Sequence, residues 1–63
     1  MYWIDIEDIA ETLEENYPEE ELSSLKLSYL EEMVRLLNEF EDNGVPTTKE
    51  TLDEIREAWR ALR

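Results

Sequence analysis

Apolar residues recur at helical spacing in three separate stretches. Ile6, Ile9, Ala10, Leu13 and Tyr17 fall on one face of a first helix, with Glu7, Asp8, Glu11, Glu14 and Glu15 on the other. Asp5 suits its N-cap, Asp8 three residues on resembles a weak capping box, and Trp3 or Ile4 is placed to staple onto the first turn. Pro18 ends this helix, because the residue before proline avoids helical geometry. Residues 18–22 fit one further helical turn with proline at its first position. Leu25-Lys26-Leu27 alternates apolar and polar and reads as a short extended piece.

Ser28, with Glu31 three residues later, marks the start of a second helix. Its buried stripe is Leu30, Met33, Val34, Leu37 and Phe40, and Asn43-Gly44 is its stop signal. Val45-Pro46 forces a turn. Thr47 or Thr48 caps a third helix, Thr47 and Glu50 fit a capping box, and Leu52, Ile55, Trp59 and Leu62 mark the inner face. The pattern predicts an all-α fold: one compact three-helix domain spanning 1–63, with at most a short extended segment near 25–27. About fifteen apolar side chains fill one core and leave no room for an internal cofactor cavity.

Charge changes this picture. The 63 residues include 18 acidic and 6 basic ones, a net charge of −12. Residues 1–48 hold 14 acidic residues against only Lys26 and Arg35, and so carry the whole imbalance. Residues 49–63 set Glu50, Asp53, Glu54 and Glu57 against Lys49, Arg56, Arg60 and Arg63, which cancel. Uniform solubilising charge does not produce that asymmetry; a directed acidic face does. Nucleic acid is excluded as a partner, since phosphate binding is built on Lys and Arg. Anionic membrane is excluded likewise, and no apolar run approaches the roughly 20 residues of a membrane span. Residues 1–5 do not form a signal peptide. The expectation is a cytoplasmic monomer that meets a basic protein surface.

Catalysis is not expected. The chain has no cysteine and no histidine, and its only glycine is Gly44. It therefore lacks a thiol nucleophile, the usual neutral-pH base and a phosphate-binding loop. Oxygen-only metal ligation is the one site chemistry left. Glu39, Glu41 and Asp42 crowd into the expected last turn of the second helix, against its dipole, which suggests a weak metal site. Glu11, Glu14 and Glu15 form a second acidic cluster.

An ordered set of anchors then stands out: Trp3-x-Asp5, Ile9-x-Glu11-x-Leu13, Tyr17-Pro18, Leu37-x-Glu39-Phe40-x-Asp42, and Leu52-x-x-Ile55-x-x-x-Trp59. The set resembles the IscX (YfhJ) family of small acidic iron–sulfur cluster assembly proteins, without a gap over nearly the whole chain. The resemblance implies a helical fold of modified winged-helix type. It implies an adaptor that docks on the cysteine desulfurase IscS through an acidic face and binds Fe2+ or Fe3+ weakly, with no tightly bound cofactor. On this chain the carboxylates shared with the family pattern are Asp5, Glu11, Glu39 and Asp42, with Asp8, Glu15 and Glu41 as their neighbours; the expected docking residues are Asp5, Asp8, Glu11 and Glu15, and the expected weak iron ligands Glu39, Glu41 and Asp42. The chain departs from the family pattern after Phe40, where Asn43-Gly44 follows Glu41-Asp42 and one acidic residue is missing. It also ends on Arg60-Ala61-Leu62-Arg63 instead of an acidic tail. Strong caps and a Glu/Leu/Arg-rich surface carry an alternative reading, a stability-optimised or designed helical domain with no ligand.

Overall fold

The stripe of Ile9, Ala10 and Leu13 builds α1, Ile6–Asn16, and all three residues are buried. In this computed structural model, which describes residues 1–41, 44 and 46–63, α1 is followed by a 3-10 turn at Leu22–Ser24, by α2 at Leu27–Arg35 and by α3 at Lys49–Ala61. There is no strand among the described residues. The all-α, three-helix expectation holds. Leu25 and Lys26 are extended and Leu27 already opens α2, so the extended piece is shorter than its alternation suggests.

Asp5 stands before α1 but does not cap it. Its Oδ2 instead accepts from the Tyr2 amide at 2.8 Å, while the Asp5 amide donates to the Tyr2 carbonyl at 3.0 Å. This closed turn sends Trp3 into the core and leaves Ile4 86% exposed. The expected turn at 18–22 lies later: Glu21 takes the N-cap of the 3-10 turn, accepting from the Ser23 amide and hydroxyl, and Leu22 is buried. Tyr17-Pro18 does end α1, with the Tyr17 amide bonded to Leu13.

The second helix differs from its sequence signals at both ends. Lys26 occupies the N-cap position without a side-chain bond, and the Ser28–Glu31 capping box does not form. Glu31 instead pairs with Arg35 at 3.0 Å. Starting at Leu27 packs that residue against the core while Leu25 and Leu30 are buried. Burying leucine is worth about 1.5–3 kcal/mol, more than the roughly 1 kcal/mol of a typical cap.

At its other end α2 stops at Arg35 instead of running on to Asp42. Two tight turns follow, with Leu37 bonded to Val34 and Phe40 to Leu37. The backbone of the next residues is claimed from outside: the Met1 amino group donates to the Glu39 carbonyl at 2.8 Å, and the Glu41 amide donates to the Met1 carbonyl at 2.8 Å. The Trp3 and Phe40 rings meet edge-on with centroids 4.7 Å apart. Leu37 and Phe40 are buried as expected. Ending early also spares the helix a row of carboxylates at its negative pole. Gly44 has φ +83°, a left-handed turn nine residues past α2 and no cap for it; Asn43 lies outside the described residues.

Of the two candidate caps of α3, Thr48 serves, its Oγ1 accepting from the Thr51 amide at 3.2 Å. Thr47 and Glu50 form no box, and the Thr47 hydroxyl is buried without a partner. Leu52, Ile55 and Trp59 are buried at 4, 0 and 0% exposure, but Leu62 is 47% exposed and not part of the inner face. Arg56 ties α3 to the extended piece through the Leu25 carbonyl at 3.2 Å and pairs with Asp53 at 2.6 Å. The α1–α3 interface is the most extensive in the molecule, with α2 closing the core over it. No helix among the described residues is long and apolar enough to cross a membrane.

Two consequences are measurable by urea unfolding. Phe40→Ala is expected to cost about 3–5 kcal/mol, as for large buried aromatics, and a loss under about 1 kcal/mol would contradict its anchoring role. Thr48→Ala is expected to cost about 1 kcal/mol, whereas Thr47→Val is expected to be neutral or stabilising because it removes an unsatisfied hydroxyl.

Candidate functional site: an acidic helix face

α1 projects two classes of carboxylate. Asp8, Glu11 and Glu15 follow at intervals of three and four residues, so they share one stripe along the helix. All three are exposed, and none forms an ion pair or side-chain hydrogen bond among the described residues. Glu7 lies beside them, one turn before Glu11. Asp5, expected to belong to the same face, is half-buried and engaged with the Tyr2 amide. The structure therefore brings Asp8, Glu11 and Glu15 together and sets Asp5 apart.

Glu14 belongs to the other class. Its Oε1 accepts from Trp59 Nε1 at 2.8 Å and from Arg63 Nε at 3.0 Å. The Arg63 guanidinium also donates to the carbonyls of Tyr17 and Glu20 and lies over the Trp59 ring, 5.5 Å from its centroid. The Trp59 and Arg63 bonds, in that order, hold the Glu14 carboxyl below the ordinary glutamate range. A carboxylate that looks like part of the outward cluster is thus a fastening between α1 and α3. The available signal is Trp59 itself: a tryptophan on an inner stripe needs an acceptor for its N–H.

The second candidate cluster is reshaped more strongly. Glu39 and Glu41 are exposed, but no helix end lies beside them, so free terminal carbonyls do not add to a ligand set there. The Tyr2 pKa is raised, chiefly by the Glu41 carboxylate near its hydroxyl, then by partial burial and by the Asp5 charge. Asp42 lies outside the described residues. No group of three acidic residues converges as a metal set among the described residues, so those present do not make a cage for a resident ion. Arg35, paired with Glu31, also lies over the Trp3 ring at 5.4 Å and brings a cation to the flank of this region.

The depressed Glu14 pKa gives stability a signed pH dependence. A carboxyl with a lowered folded pKa stabilises the fold above its unfolded pKa, and that contribution is lost as pH falls through the folded value. Stability and Trp59 fluorescence are expected to fall together below the ordinary glutamate range in the wild type, and Glu14→Gln is expected to flatten that limb. An unchanged acid profile in Glu14→Gln would contradict the fastening. For the other cluster, tyrosinate absorbance in a Tyr17→Phe, Tyr29→Phe background is expected to show Tyr2 ionising above the ordinary tyrosine range. Glu41→Gln is expected to lower it.

No curated protein and no solved structure matches this chain. A family model described as iron–sulphur cluster assembly matches residues 1–63, the full length of the sequence given. A helical chain with an unpaired acidic face and that match belongs to the iron–sulphur cluster assembly family.

Proposed function

We propose that this protein is a non-catalytic, cytoplasmic adaptor of IscX type, acting in iron–sulphur cluster assembly by docking on the cysteine desulfurase. The observation that carries the proposal is the stripe of Asp8, Glu11 and Glu15, exposed and unpaired on a chain of that family. Unpaired carboxylates on one rigid helix complement a basic surface, speed association and make it salt-dependent. Asp5 contributes to the field from its turn without offering a free carboxylate. Glu39, Glu41 and Asp42 are proposed as a loose contact for exchangeable iron, which is cargo or signal here and not a resident cofactor. Oxygen ligands suit a hard ion of that kind, and the lack of a converging carboxylate set among the described residues argues for weak binding.

Calorimetric titration of the desulfurase at rising salt tests the proposal. The complex is expected to form at low salt and to weaken steadily as salt rises. The triple variant D8N/E11Q/E15Q is expected to lose at least tenfold in affinity, about 1.4 kcal/mol. Absence of a complex at low salt would sink the proposal and favour the reading of a stable helical domain without a ligand.

A further inference from the structure

The apolar stripe of α3 runs one turn past the core. Leu52, Ile55 and Trp59 are buried, but Leu62, the next position at that spacing, is 47% exposed. It forms one wall of an open groove between α1 and α3, with a volume of about 250 Å³. Ala10, Ala58 and Ala61 line its apolar part, and Glu7 and Glu11 line it from α1. Three alanines let a neighbouring backbone come close. The volume is below the roughly 300–1,000 Å³ of a small-molecule pocket and suits a protein side chain. Glu7 and Glu11 are one turn apart, repel each other, and have no cation among the described residues, whereas Glu14 on the following turn is held by Arg63.

We propose that this groove is where a helix of the partner protein seats one aliphatic side chain, with a lysine or arginine about one turn away pairing to Glu7 and Glu11. The inference rests on the docking function proposed above and deepens it: the stripe attracts, and the groove anchors. The occupant follows from charge. An apolar floor with an acidic lip takes an aliphatic residue next to a cation, the helix-in-groove mode of recognition. A second copy of this chain is a poor occupant, because its own groove lip and stripe carry the same sign and each copy has a net charge of −12.

Ala61→Trp fills the groove from an exposed position without replacing a core residue, and Leu62→Ala removes its wall. Both are titrated against the desulfurase beside the wild type, with circular dichroism and thermal unfolding confirming the fold. Each is expected to weaken the complex at least tenfold while leaving the salt dependence unchanged. E7Q/E11Q is expected to weaken it and to flatten the salt dependence. A wild type that binds, with A61W and L62A binding equally well, would overturn the groove and leave the docking function standing. A wild type that does not bind at low salt removes the docking function, and the groove with it. A dimer of the free chain in sedimentation that A61W abolishes would also overturn the proposal and assign the groove to a second copy.

Discussion

The bond from Trp59 Nε1 to Glu14 fixes how α1 lies on α3, and much of the surface follows from it. Trp59 is the largest fully buried side chain and carries a polar atom the core cannot satisfy. Glu14 supplies the acceptor from across the most extensive helix interface. Arg63 then neutralises Glu14, covers the indole and bonds the carbonyls of Tyr17 and Glu20 in the segment that follows α1. One carboxylate is thereby removed from the acidic face and used internally. Those left over are Glu7, Asp8, Glu11 and Glu15: Glu7 and Glu11 continue the side of Glu14 toward the start of α1, and Asp8 and Glu15 lie further round the helix.

A second set of contacts orders the opposite end. Met1 bonds both Glu39 and Glu41 through its backbone, and Trp3 sits edge-on to Phe40 under the Arg35 guanidinium. These contacts take over the backbone groups that a longer α2 would have bonded within itself. They explain how Leu37 and Phe40 are buried without being helical. The spacing of three that reads as one helix face is met here by two successive tight turns, which bring every third residue to the same side.

What was legible in the sequence divides along the same line. Ile9, Ala10 and Leu13, Leu30, Met33 and Val34, and Leu52, Ile55 and Trp59 are buried as their periodicity predicts, because helix period and burial are local facts. The end of α2 was not legible, because it is set by Met1, which lies 38 residues from Glu39. Nor was the role of Glu14, whose partner Trp59 is 45 residues away. Capping signals fared unevenly for one reason. Thr48 caps α3, which begins where solvent is near, whereas Ser28 yields to the packing of Leu25, Leu27 and Leu30. Asp8, Glu11 and Glu15 share a face as their spacing requires, while Asp5 is diverted by an amide three residues back.

The acidic stripe is a burden on the free protein. Glu7 and Asp8 lie in the first turn of α1, where the helix dipole favours them, but Glu15 lies near the last turn, which contains no basic residue. Glu7 with Glu11, and Glu11 with Glu15, repel by about 0.2–0.5 kcal/mol per pair. A chain of 63 residues buries only about 60% of its unfolded surface and has little stability to spare. α3 shows that the same protein can relieve charge locally, through Asp53 and Arg56. On α1 the only relief among the described residues reaches Glu14, the carboxylate that fastens the fold. Charge left unrelieved on one rigid face, above a groove whose lip has the same sign, is a distribution that a cationic partner would relieve. Stability alone gives no reason to concentrate it there.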